Sequence, residues 1–569
     1  MPYQPQVMGR RYMIVAGHYL AAEAGLKILE AGGNAIDAGV AAGIALGVLH
    51  SDQVQFSGVA PMLIYHKASH QVFAVAGLGA WPRAVEPRRF EQEFGGHIPL
   101  GILRTVVPAA PHAWIAVLAR FGTLGFGEVA ASAIRYAREG FAVHPVMAEF
   151  ITRYRDNYAK WPANAAIWLK DSQPPKVGDL LVQSDLAAVL QYMADEERAA
   201  AGRGREAGLK AACDAFYLGD IAARMLAHQK ANGGLLSAED LAAHTTPIEA
   251  PIKRRFRDCE VYSCGPWCQG PVLLQMLALL EGIDLAALGH NSTAYIHTIA
   301  EAMKLSFADR ERFYGDPRFV DVPLERLLSA AYAAQRRRLI DPARAWPAMP
   351  PAGDIAGHGG VSFAAHANER ETAVPADTSY CCAIDRHGNV VSITPSDVSF
   401  ESPAVPGLGF CPSARGAQSF ALAGHASSVA PGKRPRLTPN PALVLKPGEF
   451  ALPFGAPGGD HQPQGMLQVL LNHLVFGMPI QEAIEAPRFS THSHPNSFEP
   501  HDSHPGRLTV EERIPAATMQ ALAGLGHKVE PLPAISMGVA GVCAISADLA
   551  SGLLAGGADP RRCGRAMGF

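Results

Sequence analysis

The sequence predicts a mixed chain of class α+β, with room for two or more domains or one large layered one. Three observations predict it. An apolar helix pair near the N-terminus runs directly into strand-like segments. Residues 110–245 then read as mainly helical. Beyond a stretch dense in helix and strand breakers (341–376), the texture changes to short β segments. At 569 residues a large core is available.

In chain order, "YLAAEAGLKILEAGGNAIDAGVAAGIALGVLH" reads as two helices broken at Gly32-Gly33. The first carries Leu20, Ala24, Leu26, Ile28 and Leu29 at helical spacing, and the glycines supply its C-cap. Asn34 caps a second helix that is apolar nearly all round and therefore buried. "PMLIYHK" and "QVFAVAG" follow as strands. "FGEVAASAIRYAREGFAV" is an amphipathic helix, and residues 292–316 form another long one. After the breaker-rich stretch come "TSYCCAID", "NVVSIT", "PALVL" and "FALPFG" as strands, a helix over "QGMLQVLLNHLVFG", and a closing strand pair around "VAGVCAISADLASGLLAGGADP".

Bulk properties exclude several functions. A net charge of −3 leaves no electrostatic footprint for nucleic acid or an anionic membrane. Hydrophobic residues make up 48% of the chain and mean hydropathy is +0.06, as a globular protein requires. Nine scattered cysteines, an odd number, argue for reduced thiols over a disulfide framework. "SCGPWCQG" has C-x-x-x-C spacing, not the C-x-x-C of redox motifs. The N-terminus shows no apolar run after a basic start, and Ala35–Leu49 is too short to span a bilayer. A soluble cytoplasmic protein is expected.

"PADTSYCCAIDRHGNVVSIT" (375–394) ends the breaker-rich stretch abruptly in a hairpin whose turn holds Asp385, His387, Gly388 and Asn389. Alternation places Ser392, Thr394 and Ser396 on one face and Val391 and Ile393 on the other. Asp-Thr before a strand is common, but this threonine is suited to become a chain terminus. If Thr378 Oγ attacks the carbonyl carbon of Asp377, an N→O acyl shift gives an ester, and water releases Thr378 with an α-amine. That amine, with a reference pKa of roughly 7.7–8.0, is a built-in base for its own hydroxyl. Further on, "FALPFGAPGGDHQPQGMLQVLL" puts Gly455, Gly458 and Gly459 between a strand and a helix. Asp460 and His461 follow where a phosphate loop would carry Lys and Ser/Thr, so an oxyanion hole fits better than a nucleotide. A plain strand–helix turn is the alternative.

Together these segments resemble the γ-glutamyltranspeptidase family of N-terminal nucleophile hydrolases. The resemblance runs from about residue 10 to 560. It is carried by "LKILEAGGNAIDAGVAAGIALGV", "AEAMKLSFADRERFYGDPRFVDVP", "DTSYCCAIDRHGNVVSIT", "PGKRP", "GAPGGD" and "EAPRF". It implies an αββα sandwich and autocleavage between Asp377 and Thr378. The products would be a large subunit (1–377, ending in a flexible linker, 341–377) and a small one (378–569) wound together, with a dimer of such pairs left open. It makes Thr378 the nucleophile and Gly458 and Gly459 the oxyanion loop. Ser396 falls where the family keeps an assisting threonine, and Thr394 matches a position two residues earlier. No cofactor or metal is implied.

Departures from the family pattern concern the glutamate clamp. Leu78, in "GLGAWPRA", stands at the place of the arginine that grips the γ-glutamyl α-carboxylate. The asparagine after the assisting threonine becomes Val398. "CPSARGAQSF" lacks the aspartate that binds the α-amine, and the paired serines become Leu437 and Thr438. The chain between Phe420 and Pro431 is shortened, removing the lid loop. "SARG" and "GGDHQPQ" look closer to the branch of cephalosporin-acylase-like proteins and oxamate amidohydrolase. Arg415, Gln418, Thr438 and Asp460 are then the candidate substrate-binding residues, with Arg83 a further one. The expected function is hydrolysis of a small amide or acyl-amide through an acyl-enzyme, with γ-glutamyl transfer as the alternative. A rival of another class rests on His492, His494, His501, His504, Glu499 and Asp502, read as a solvated loop or a metal site. A non-catalytic binding relative is the remaining alternative.

Overall fold

The computed structural model describes residues 3–363 and 378–569. Two seven-stranded antiparallel sheets stack face to face, with helices covering both outer faces: an αββα sandwich. One sheet has the order Val7–Gly9, Leu553–Ala558, Cys543–Asp548, Phe450–Gly455, Ala442–Lys446, Cys259–Ser263, Ile252–Phe256. The other runs Arg565–Gly568, Met13–Ala16, Cys381–Ile384, Val390–Ile393, Met62–His66, Gln71–Val75, Ile248–Glu249. Residues on both sides of the expected cleavage point therefore share both sheets.

Period-two alternation divides the layers. Tyr380, Cys382 and Ile384 enter the core between the sheets, whereas Cys381 and Ala383 face the helices. The covering helices include Tyr19–Glu30 and Ala35–Leu49 on one side. Gly270–Leu280, Thr293–Phe313 and Gln462–Leu474 cover the other. Ala35–Leu49 is buried along its whole length, as its all-round apolarity requires. Asn34 and Asp37 close a capping box at its start. Gly39 lets this helix lie on the sheet, because a Cβ there would sit 2.6 Å from Val391 Cγ1.

Strand Cys381–Ile384 lies between Met13–Ala16 and Val390–Ile393, with Cys382 opposite both Val15 and Ser392. Asp385 builds the following turn by accepting from the N–H groups of His387 (2.8 Å) and Asn389 (3.0 Å). The stretch read as a slack linker is pinned over 341–363. Trp346 N–H donates to Glu301 (3.1 Å), Gly353 N–H to Asp309 (2.7 Å) and Val361 N–H to the Gly424 carbonyl (3.0 Å). Its proline and glycine content leaves few side chains for a core, so backbone groups do the anchoring. Asp377 and the remainder of that linker lie outside the described residues. No helix among the described residues is long and apolar enough to cross a membrane.

Candidate active site

Thr378 stands at the entry to the central strand Cys381–Ile384, pinned by the Ser379 N–H donating to the Pro395 carbonyl (3.0 Å) and the Gly17 N–H donating to the Tyr380 carbonyl (2.9 Å). It is buried, and its Oγ1 lies 2.7 Å from Ser396 Oγ. The second strand stops at Ile393, and Ser396 is carried past it by bridges to Val59 and Thr378. The three hydroxyls expected on one wall thus separate. Ser396 meets Thr378, Ser392 pairs with the Tyr380 hydroxyl (2.7 Å), and Thr394 Oγ1 is buried with no hydrogen-bond partner among the described residues.

Arg415, on the short 3₁₀ turn Arg415–Gln418, donates from Nη2 to Ser396 Oγ. Its Nε is 3.8 Å from Asp397 Oδ2, and its guanidinium lies over the Phe498 ring at 5.3 Å. Asp397 also accepts from Ser413 Oγ and, at 3.2 Å, from the Ala414 N–H. Burial pushes the Asp397 carboxyl up to about 6, against the pull of Arg415 and Ser413. Thr378, Ser396, Arg415 and Asp397 thus form one buried polar chain.

Gly458 and Gly459 end the loop after strand Phe450–Gly455, with φ of 118° and 54°. Such a backbone favours glycine, and at Gly458 a Cβ would also stand 3.2 Å from Ala540 Cα. Gln269 Nε2 donates to the Gly459 and Thr438 carbonyls, both at 2.9 Å. Gln418 Nε2 donates to Thr438 Oγ1 (2.9 Å), while Gln418 Oε1 is buried without a partner among the described residues. Gln462 satisfies its surroundings best with its amide nitrogen toward Thr438 O, Asn440 Oδ1 and Ala456 O. That orientation turns its oxygen toward Thr378 Oγ1, 3.4 Å away.

Asp460, a candidate substrate contact from sequence, is engaged by the protein. It pairs with Arg310 Nη1 and accepts from the Ser497 N–H (2.7 Å) and Oγ (2.6 Å). Burial is the largest influence and opposes its ionisation, yet Arg310, His494 and the Ser497 donors together outweigh it and hold the carboxyl below its ordinary value. Arg310 also donates to Gln269 Oε1 (3.1 Å), to Glu311 and to the Pro495 carbonyl (2.9 Å). This buried arginine, from the helix Thr293–Phe313, ties the glycine loop to the 495–497 segment. Sequence reasoning missed it along with Gln269 and Asp397, and noted Gln462 only within "GGDHQPQ". The one available signal was Arg310's place in "SFADRERFYGD".

The histidine loop is not solvated. His494 and His501 are buried, and their ring nitrogens bond to the Pro495 carbonyl and to the Asn496 and Ser419 carbonyls. His492 bonds to Thr509 Oγ1 (3.0 Å). Among the described residues, the group whose ligand atoms converge as a metal would need is a different one, His297, Glu301 and His527. There Lys304 Nζ already lies 2.7 Å from Glu301 Oε1. Arg83 lies on the rim of the fold, its side chain 66% exposed. Leu78 and Leu437, where the resemblance expects the clamp, are both buried in the inter-sheet core with Trp267 and Tyr380.

The family model for γ-glutamyltranspeptidase matches residues 21–569. The chain belongs to this family. Among its members, the acylase ACY 1 proenzyme of Pseudomonas sp. (strain SE83) is 34% identical over 546 residues, covering 93% of this chain and 89% of the relative. The glutathione hydrolase-like YwrD proenzyme of Bacillus subtilis (strain 168) is 32% identical, with 99% of both chains covered. The crystal structure of a cephalosporin acylase from Bacillus halodurans superposes with a TM-score of 0.86 at 28% identity, covering 100% of this chain and 98% of that one. As a γ-glutamyltranspeptidase-family member with acylase and hydrolase relatives, the protein is a hydrolase with the N-terminal nucleophile fold.

Proposed function

We propose that the chain is an autoprocessing amidohydrolase in which Thr378 is the nucleophile, acting on a small amide or acyl-amide without an α-carboxylate grip of the glutamyl type. The observation that carries the reading is the Thr378–Ser396 hydroxyl pair at 2.7 Å, backed by Arg415. The Arg415 cation occupies a lone pair of Ser396 and favours the Ser396 proton pointing at Thr378 Oγ1, where it steadies negative charge as Oγ attacks. Once Thr378 has a free α-amine, that amine takes the Oγ proton. Oγ bonds the substrate carbonyl carbon, the N–H groups near Gly458 and Gly459 stabilise the oxyanion, and the C–N bond breaks as the proton passes to the leaving nitrogen. Water then hydrolyses the ester, with the amine again as base.

Substrate class follows from what lines the clamp positions. Leu78 and Leu437 are apolar and packed in the core, so neither can pair a carboxylate. The second reading, γ-glutamyl transfer, is favoured by one observation: Arg415 is a buried cation beside Ser396. Glutathione, a γ-glutamyl anilide, oxamate and a set of neutral N-acyl amides separate the two. Turnover of the neutral amides or oxamate is the expected result. Efficient turnover of glutathione and the anilide alone would sink the amidohydrolase reading.

The pH profile tests the polar chain. Asp397, at about 6, gains its proton as pH falls and releases its hold on Arg415. The α-amine, near roughly 8, is protonated first. A plot of log kcat/KM against pH should therefore rise with a slope near two below about pH 6 and near one between about 6 and 8. Asp397→Asn should leave a slope of one throughout. A wild-type slope of one below pH 6 would remove Asp397 from the mechanism.

A further inference from the structure

A cavity of about 280 Å³ is lined in part by Leu78 and Trp81, and neither Thr378, Ser396 nor Arg415 lines it. Three arginines from distant parts of the chain converge on it: Arg83, Arg318 and Arg434. Arg83 and Arg318 are at the mouth, with side chains 66% and 51% exposed, while Arg434 is 4% exposed.

Charge around the cavity does not balance internally. Asp240 is the one carboxylate in its lining, and it is held by the Ser237 cap and the Arg83 backbone N–H (3.1 Å), its carboxylate 4.0 Å from Arg83 Nε. Behind the wall, Asp316 serves two arginines at once, Arg318 Nη2 at 2.6 Å and Arg434 Nη2 at 2.9 Å. With Glu239 drawing on Arg83 and Lys433 on Asp316, four cations face three carboxylates, and one positive charge is left over. Arg434 is also undersupplied with acceptors: its Nε and Nη1 are buried with no hydrogen-bond partner among the described residues, and its guanidinium carbon lies 5.6 Å from the Trp267 ring centroid. His244, in the same lining, adds no charge, since burial and His112 depress its pKa to about 3. A cationic cluster in surplus over its carboxylates, with guanidiniums at its centre, is complementary to a planar or tetrahedral oxyanion, which takes forked N–H pairs from several arginines at once. The volume lies just below the range of drug-sized pockets, so the occupant is small.

We propose that this cavity binds a small oxyanion, a carboxylate or a phosphate, gripped at its mouth by Arg83 and Arg318 above the buried Arg434. The site has a route to the nucleophile's surroundings. Trp81 lines the cavity, and its Nε1–H donates to Ser419 Oγ (2.9 Å), the residue directly after the turn that carries Arg415.

The test is calorimetric titration of the whole protein, both subunits present if it has split, with inorganic phosphate and, separately, with glutarate, at ionic strength fixed with sodium chloride. Saturable one-site binding of at least one anion is expected, and whichever arm saturates names the chemistry. Arg83→Ala and Arg318→Ala should each weaken it by about 10- to 100-fold, the loss of one charge-assisted contact. An unchanged thermal midpoint in anion-free buffer certifies each variant's fold. Because anion binding is read directly, the outcome does not depend on turnover by Thr378. Absence of saturation by both anions would overturn the proposal, as would variants that bind like the wild type.

Discussion

Thr378→Ala is expected to leave the chain at full length, where the wild type splits into pieces of about two-thirds and one-third. Intact mass under denaturing conditions reads the result directly, and the smaller wild-type piece should begin at Thr378. The physical ground is that, on the proposed reading, the same hydroxyl serves twice, first on its own peptide bond and then on substrate. Removing it should therefore abolish processing and lower turnover by about 10⁴-fold or more. Thr378→Ser separates chemistry from positioning. Serine keeps the oxygen but loses the β-branch that restricts χ1, so processing should persist at a reduced rate. Ser396→Ala should fall between the two variants, because it removes the hydroxyl 2.7 Å from Oγ1 while the nucleophile stays. A Thr378→Ala chain that still splits at the same bond would place the nucleophile elsewhere. A wild type that stays whole would bring the non-catalytic reading forward.

What could be read in one dimension is what local pattern determines. The buried helix Ala35–Leu49 announced itself by having no polar face, and the hairpin by alternation around Asp385 and Gly388. Thr378 and Ser396 were legible because a hairpin brings together residues 18 apart. The support beneath them was not. Arg310 reads as an ordinary charged residue on a long helix, and its partners Gln269, Asp460 and Pro495 lie 41, 150 and 185 residues away. No periodicity encodes such a meeting. Composition misled in the histidine loop, where a polar, proline-rich run suggests solvent. The imidazoles of His494 and His501 are instead turned inward onto backbone carbonyls. The same blindness hid Asp397, whose neighbour Ser396 drew attention only for its hydroxyl.

Arg310→Met should be the most damaging change away from the nucleophile. Arg310 is fully buried and bonds Asp460, Glu311, Gln269 and the Pro495 carbonyl. Glu311 keeps Arg436 as a second partner, so the group left uncompensated is Asp460. Stranding a buried carboxylate in this way costs about 3–5 kcal/mol. The cost reaches catalysis because Asp460 follows Gly459 directly, and Gln269, which Arg310 orients, holds the Gly459 carbonyl. If the loop shifts, N–H groups aimed at the oxyanion lose their aim. A kcat lower by about 10²–10³-fold with KM little changed is the expected signature. Asp460→Asn keeps an oxygen for the Ser497 donors and should be milder. Asp460→Asn combined with Arg310→Met should cost less than the two single changes added together, since the stranded charge is gone. Thermal unfolding and steady-state kinetics on all three variants decide it. Strict additivity, or an Arg310→Met enzyme with wild-type kcat, would mean that the glycine backbone and the following helix hold the loop by themselves.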